Sequence, residues 1–280
     1  MNTKAKIIFS LFLILFLSSY KRPTAVNSWT KNELNGKVKS LTQIKYSLDS
    51  SASNKKNILE YFQDKYSEKG QIIEWKKFKP DSSLDFKYIY FYNELGQQFE
   101  AKQYGANDSL LYRWDAKFDK KGNKIEYIVY TYQGKLIGSQ TSKFNSRCKE
   151  IVWELHNNDV FSNVSIYSKK RYNLKGQMTS SKSYEAHGRL YFSKHLKYDH
   201  NGNLIEERVV YDKTNKYTYT YQYNEAGDMT QSNGYDFKKR KNHSAYFEYI
   251  YDSTGNWIKK TEFRNKKIYH TTEREIEYFK

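Results

Sequence analysis

The stretch Tyr198-Asp199-His200-Asn201-Gly202-Asn203-Leu204-Ile205 recurs in variant form along this 280-residue chain. Eight copies align on the residue in the place of Gly202, and their centres are Gly70, Gly96, Gly122, Cys148, Gly176, Gly202, Gly227 and Gly255. Subtraction of these residue numbers gives spacings of 26, 26, 26, 28, 26, 25 and 28. A near-constant period of this length is the signature of a repeat fold.

Each copy has the chemistry of a β-hairpin turn. An aromatic residue lies four positions before the centre, and Asp, Asn or Ser lies three positions before it, as in Tyr198 and Asp199. The Asx side chain bonds backbone two residues on and starts a type I turn, which glycine closes with a positive φ. Strand-forming residues lie three positions after the centres, namely Ile73, Phe99, Ile125, Ile151, Thr179, Ile205, Thr230 and Ile258.

A second polar break about half a period further on divides each unit into two strands. With a lead strand and a tail, the total is about seventeen strands, and open twisted sheets rarely exceed about ten without curling or splitting. We therefore predict an all-β antiparallel meander of about eight two-stranded repeats, with a period of about 26 residues. We expect a strongly curled sheet that forms a partial shell, with a closed barrel as the alternative.

A second ladder lies eight residues after each centre and includes Phe78, Tyr104 and Tyr130. Its parity is opposite to that of the residues three after the centre. Side chains alternate between the two faces of a sheet. The two ladders are thus expected on opposite faces unless a β-bulge intervenes.

The repeat resembles the tyrosine–aspartate (YD) repeats of the RHS family. That motif reads aromatic, Asp or Asn, two variable residues, Gly, Arg or Asn, and an aliphatic residue. The best matches are residues 198–204 and 251–257, and the resemblance covers roughly residues 58–280. It implies the β-repeat fold of a bacterial exported protein and carries over no catalytic residue.

The N-terminus predicts export. Residues 1–19 have a basic start with Lys4 and Lys6, an apolar core at 7–17 and small residues for cleavage, which are the features of a signal peptide. Tyr20 stands where the lipidated Cys of a lipoprotein box would be. We therefore expect a secreted or periplasmic protein that does not span a membrane after signal cleavage.

The rest of the chain divides into two parts. Residues 20–57 are predicted to be an N-terminal lead whose strand at 37–46 caps the first repeat, because a repeat array needs a distinct end unit. Residues 58–280 form the YD-like β-repeat domain. The charged stretch 274–280 is expected to form the final edge strand and to protect it from aggregation.

Composition directs attention to anionic partners. The formal net charge is +17, which predicts attraction to an acidic glycan or another envelope polyanion. Lys238, Lys239, Arg240 and Lys241 form the strongest basic cluster, in the longest inter-strand insertion. A solvated loop that blocks edge pairing is the alternative interpretation.

Alternating aromatic residues predict a sugar-binding surface. Tyr88 and Tyr90 share one face of a strand, as do Tyr217, Tyr219 and Tyr221. Tryptophans add flat stacking platforms, and those selected are Trp75, Trp114 and Trp153. Coverage of the sheet by residues of high β-propensity is the alternative interpretation.

Catalytic and metal signals are weak. The six histidines are scattered, and Cys148 is the single thiol and replaces a turn glycine. The acids four positions after the centres predict cross-strand pairs with lysine rather than a glycosidase pair, and they are Glu74, Glu100, Glu126 and Glu206. We therefore predict a non-enzymatic protein without cofactor or metal.

These patterns together predict an exported β-repeat protein with a binding or scaffold role at the bacterial cell envelope. Its expected partner is an acidic glycan, another envelope polyanion or another envelope protein, with no sequence-specific recognition of nucleic acid. An outer-membrane β-barrel and a carbohydrate-active enzyme are the alternatives.

Overall fold

The computed structural model describes residues 28–31, 34–48, 56–147, 149–157, 166–185, 187–211 and 215–280. The predicted signal peptide, Tyr20 and Cys148 lie outside the described residues. Within the described part, one short helix α1 (Ser28–Lys31) precedes eighteen strands that form a single antiparallel sheet.

The first nine strands are β1 (Val38–Leu48), β2 (Lys56–Tyr66), β3 (Ile72–Phe78), β4 (Leu84–Tyr92), β5 (Gln98–Gly105), β6 (Leu110–Phe118), β7 (Lys124–Thr131), β8 (Leu136–Phe144) and β9 (Glu150–Asn157). The remaining nine are β10 (Ile166–Tyr172), β11 (Met178–Glu185), β12 (Leu190–Tyr198), β13 (Leu204–Tyr211), β14 (Asn215–Tyr223), β15 (Met229–Asp236), β16 (Lys241–Tyr251), β17 (Trp257–Arg264) and β18 (Lys267–Tyr278).

The sheet closes into an eighteen-stranded barrel. Each strand pairs with the next along the chain, and β1 pairs with both β2 and β18. The all-β antiparallel meander is confirmed, in the closed form that was the alternative to a partial shell. Closure pairs every strand on both sides and removes the free edges that an open sheet would leave.

Strand β1 is the closing element. Leu41 stands opposite Asp64 of β2 on one side and Ile276 of β18 on the other. The lead strand, which was predicted to cap the first repeat, therefore pairs with both the first and the last repeat. The prediction of a charged final edge strand is wrong, because β18 is paired on both sides.

The predicted turn is present in every copy. In all eight, the side chain three before the centre accepts a hydrogen bond from the backbone N–H four residues on, as Asp199 does from Asn203 at 2.8 Å. The bond to the residue two positions on is made by Asp119, Asn145 and Asp252. Gly202 has a φ of 99°, and the other centre glycines also have a positive φ.

A β-bulge follows each of these turns. Lys197 pairs with Glu206 and Tyr198 pairs with Leu204, so Ile205 is the extra residue. The same shift occurs in all eight copies and makes the residue three after the centre the bulged one. We expected the residues three and eight positions after each centre to lie on opposite faces only if no bulge intervenes. Because a bulge is present in every copy, that expectation does not apply.

The register separates an inner face from an outer face. Directly paired residues share a face, and Ala101 stands opposite both Tyr90 and Trp114. Ala101 and Trp114 are only 1% and 4% exposed, whereas Arg113, which has the opposite parity, is exposed. The buried parity therefore lines the barrel interior.

The N-terminal segment lies against the rim of the barrel that carries the glycine turns. The Ser28 N–H donates to the Gly70 carbonyl at 2.6 Å, and the Asn35 N–H donates to Asn256 Oδ1 at 2.7 Å. Trp29 packs in a buried cluster with Leu34, Val38, Leu41 and Tyr66. The segment thus connects the first glycine turn to the last.

Candidate functional site

The eight aromatic residues selected from the sequence all lie on the inner face. Trp75 pairs with Tyr88, and Tyr90 and Trp114 flank Ala101. Trp153 stands opposite the buried Ser168, and Tyr217 stands opposite the buried Val209. Tyr219 and Tyr221 alternate with the same parity as Tyr217 and so lie on the same face. We call these eight residues the inner aromatic face.

The densest part of the inner aromatic face spans β3 to β6. The Tyr88 ring centroid lies 5.7 Å from that of Trp75, 5.3 Å from that of Trp114 and 6.1 Å from that of Tyr90. Tyr88 is 5% exposed, whereas Trp75 and Tyr90 are half-buried. Trp75 and Tyr90 therefore offer ring surface beside a buried aromatic base.

Three further aromatic residues of this cluster were not selected from the sequence, namely Phe86, Tyr112 and Tyr127. The alternation of Tyr112 with Trp114 in β6 is a signal that would have found one of them. Tyr127 belongs to the cluster because Ala116 of β6 stands opposite it. This pairing depends on the strand register and has no signal in the local sequence.

Polar groups are interleaved with the rings. The Tyr88 hydroxyl donates to Gln103 Oε1 at 3.2 Å. The Tyr127 hydroxyl is buried and has no hydrogen-bond partner among the described residues. Burial raises the pKa of both phenols well above the usual value, with nearby Tyr127 adding to the effect on Tyr88 and Asp115 to that on Tyr127. Both hydroxyls therefore stay protonated.

The second aromatic group lies on β14. The rings of Tyr217 and Tyr219 stack at 6.4 Å with an interplanar angle of 11°. The Tyr221 hydroxyl donates to Glu207 Oε2 at 3.3 Å, and Lys194 Nζ lies 3.4 Å from Glu207 Oε1. Burial, followed by the charge of Glu207, raises the pKa of Tyr221.

Small polar residues line the wall between the two aromatic groups. Ser168 Oγ lies 2.9 Å from Ser181 Oγ and 3.2 Å from Ser183 Oγ. The Gln140 amide donates to Ser142 Oγ at 3.1 Å. The inner face thus carries two aromatic platforms separated by hydroxyl and amide groups.

Charged groups lie on the inner face near the closing strand. Asp64 is buried, and one carboxylate oxygen has no partner among the described residues. Burial raises the pKa of Asp64 to about 7, against the opposing effects of the Tyr66 hydroxyl and Arg274. Burial also lowers the pKa of Lys260.

Three of the four residues of the basic cluster lie outside this surface. Lys238, Lys239 and Arg240 are exposed in the β15–β16 connection, at the end of the barrel opposite the glycine turns. Lys241 is the exposed first residue of β16, where it pairs with Asp236. The backbone N–H groups of Lys238 and Lys239 donate to Asp236 Oδ1 at 2.9 and 3.1 Å. The structure places the predicted aromatic residues on one face of the sheet in two separate groups, and it leaves Lys238, Lys239 and Arg240 apart from them.

The repeated glutamates pair with lysines on the outer face, as expected of structural residues. Glu126 lies 2.7 Å from Lys117, and Glu206 lies 3.0 Å from Lys197 on the neighbouring strand. In the part of the chain that the structure describes, no three His, Cys, Asp or Glu side chains lie close enough to hold a metal ion. No helix among those residues is long and apolar enough to cross a membrane.

No protein-family model matches the chain, and no curated protein matches it. Among solved structures, the chain is similar to a porin-like protein from Bacteroides uniformis, with 10% identity and a TM-score of 0.45 over 86% of this chain and 98% of that one. A porin-like protein from Bacteroides vulgatus is 10% identical, with a TM-score of 0.38 over 87% and 99%.

A further match is the solved TcdB2-TccC3-Cdc42 structure, at 13% identity and a TM-score of 0.35. It covers 81% of this chain, whereas this chain spans 14% of that one. At these TM-scores the similarities do not assign a function.

Proposed function

We propose that this protein is an exported, non-enzymatic β-barrel of the bacterial cell envelope, built from YD-like repeats, whose inner aromatic face binds a carbohydrate chain. The observation that carries the proposal is the strand register, which gathers all eight selected aromatic residues on the barrel interior. Ligand sites are typically concave and aromatic, with a few polar groups that fix orientation.

The chemistry of the inner face supports a sugar ligand. Trp75 and Tyr90 offer flat apolar rings, and the half-buried Tyr112 of the same cluster adds a phenol with a hydroxyl at its edge. A sugar ring has apolar C–H faces and hydroxyls at its rim, so it matches rings that have one apolar body and one polar edge.

The size of the barrel supports an interior site. Barrels of about eight strands are filled by their side chains, whereas those of 16 to 18 strands leave an aqueous interior. This barrel has 18 strands, and its wall between the aromatic groups carries small side chains such as Ser168, Ser181 and Ser183. We therefore expect the interior to admit a polymer chain.

The outer face favours a location in water over one in lipid. The pairs Lys117–Glu126 and Lys197–Glu206 lie on it, and the side chains of Lys117 and Lys197 are 66% and 60% exposed. Charged residues on a lipid-facing barrel wall cost about 2–4 kcal/mol each at mid-height. We therefore favour the periplasmic or secreted form over an outer-membrane barrel.

The ligand is tested by titrating the purified protein with a panel of neutral and acidic oligosaccharides by calorimetry. Tyr219→Ala removes a half-buried inner ring, and Tyr246→Ala, on a side chain that is 51% exposed, is the matched control of opposite parity. We expect affinity to fall about tenfold in Tyr219→Ala, by analogy with losses of about 1–3 kcal/mol when a stacking ring is removed. Equal affinities of the two variants, or no binding by the wild type, would contradict the site.

The location is tested separately. N-terminal sequencing of protein recovered from medium, periplasm and detergent-extracted membrane is expected to give a soluble product that starts near Tyr20. Recovery of an intact Met1 start in the membrane fraction alone would overturn the exported, cleaved form.

A further inference from the structure

A cleft of about 450 Å3 lies at the end of the barrel that carries the glycine turns. Its walls are two neighbouring turns, the β8–β9 turn with Asn145 and the β10–β11 turn with Asn173. The lining residues include no Asp or Glu, and its basic members are Arg147, Lys149, Lys170, Arg171 and Lys175. We call this the basic cleft.

The basic cleft arises where one repeat departs from the pattern. After the centres of three other repeats, Gln71, Gln97 and Gln177 donate to the carbonyl of the next centre at 3.3–3.4 Å. At the same position Lys149 replaces the amide, and it is the one basic residue among the eight copies. A cationic side chain therefore occupies the position that, in those three repeats, holds a neutral glutamine bonded to the next turn.

Gly176 accommodates that lysine. A Cβ on Gly176 would lie 2.8 Å from Lys149 Cε and 2.9 Å from Lys149 Nζ. The Lys149 side chain therefore lies directly over the backbone of the opposing turn, where a larger residue would displace it. The two turns are thus adapted to each other around a cationic group.

The Glu150 carboxylate beside the cleft is already bound. Glu150 accepts a hydrogen bond from Ser142 Oγ at 2.6 Å and forms an ion pair with Lys170. The Tyr172 hydroxyl donates to the Glu150 backbone carbonyl at 2.7 Å, which holds the two turns in place. Arg147 lies in the β8–β9 turn and Arg171 lies near the end of β10. Lys175 lies in the β10–β11 turn, where its Nζ donates to the His200 carbonyl at 3.3 Å.

We infer that the basic cleft binds a ligand with two linked phosphate groups. Phosphate oxygens point in several directions and accept charge-assisted hydrogen bonds from surrounding donors, and arginine binds them in a two-pronged geometry. About 10–15 Å3 of cavity space holds one water molecule, so a cleft of about 450 Å3 has room for a diphosphate. The ligand is either a free diphosphate or a phosphate-bearing polymer.

This site is separate from the proposed carbohydrate site. The basic cleft lies at the rim formed by the glycine turns, whereas the inner aromatic face lies along the strands, and the two share no residue. Failure of phosphate binding in the basic cleft would therefore leave carbohydrate binding on the inner aromatic face to be tested separately, and the reverse also holds.

The test uses inorganic pyrophosphate and linear polyphosphate as probes, with binding to the full mature chain measured by calorimetry at low salt. Hydrogen exchange of the wild type, read by mass spectrometry, locates the site without any substitution. The double variant Arg147→Gln/Lys175→Gln removes two charges from the cleft. The matched control, Lys238→Gln/Lys239→Gln, removes two charges from the opposite end of the barrel.

We expect pyrophosphate to protect residues 145–151 and 170–176 from exchange and to leave 236–241 unchanged. The cleft variant should bind at least about tenfold more weakly, since each charge-assisted contact is worth about a factor of ten or more, and the control should change less than about twofold. Polyphosphate binding with the same protection would identify a polymer, and pyrophosphate binding alone a free diphosphate; both support the site. Equal losses in the two variants, protection centred on 236–241, or no binding of either probe would overturn it.

Discussion

The Tyr198 hydroxyl donates a 2.8 Å hydrogen bond to the backbone carbonyl of Met178, one repeat earlier in the chain. The same bond joins Tyr92 to Ile72, Tyr172 to Glu150 and Tyr223 to Leu204. The acceptor in each case directly precedes the bulged residue, where the strand ladder is locally disrupted. At these four bulges the turn tyrosine therefore connects the bulge to the next repeat, in addition to packing.

Tyr198→Phe removes this bond and keeps the ring. We expect the free energy of unfolding to fall by about 1–3 kcal/mol, because the carbonyl loses a partner at a half-buried position. Urea unfolding followed by circular dichroism measures the change. Tyr235→Phe on the outer strand surface is the control and should lie within about 0.5 kcal/mol of the wild type; equal effects of the two substitutions would refute the role assigned to the bond.

Gly227 tests the turn backbone alone. Its φ is +87°, and a Cβ added there would meet no atom within 4 Å. Gly227→Ala should destabilise the barrel by about 1–2 kcal/mol through the left-handed conformation. Gly227→Asn should cost less, because Asn visits that conformation more readily. Thermal unfolding that ranks Ala as equal to or better than Asn would contradict this explanation.

Asp64 makes stability depend on pH. Burial raises the folded-state pKa to about 7 from 3.8, so the unfolded chain releases this proton first as the pH rises. The contribution of Asp64 to the free energy of unfolding is therefore fully present below about pH 4 and is lost as the pH rises to about 7. At 1.36 kcal/mol per pKa unit, the loss totals up to about 4 kcal/mol.

The check compares the wild type with Asp64→Asn from pH 4 to 8 by urea unfolding. Other carboxyls have pKa values below their usual range, as for Asp252 and Glu206, and they act equally in both proteins. The variant should become the more stable of the two as the pH rises. A stability difference that stays constant across this range would exclude the titration of Asp64.

Leu41 tests the closure of the barrel. It is 2% exposed on β1 and packs in the cluster that includes Trp29 and Ile276. Leu41→Ala should cost about 2–5 kcal/mol, the usual range for a large buried aliphatic residue. Ile44→Ala, at the opposite parity of the same strand, is the control with a smaller expected loss. Similar losses in urea unfolding would show that β1 is not anchored by its inner side.

The local features of this protein follow from its sequence. An Asx residue, a glycine that can take a positive φ and flanking β-formers specify each hairpin within about ten residues, so the turns around Gly202 and Gly255 could be predicted together with the antiparallel meander. Alternation within one strand likewise places Tyr217, Tyr219 and Tyr221 on one face.

Only the tertiary structure decided what these local units form together. Whether the sheet closes depends on the pairing of Leu41 with Ile276, which are more than 200 residues apart, and the turn motifs carry no information about that contact. The bulge at Ile205 and the gathering of Trp75, Trp114 and Trp153 on one wall depend on register across many strands. A shift of one residue in any pairing would reverse the face, so these features are set by the whole barrel and not by any single repeat.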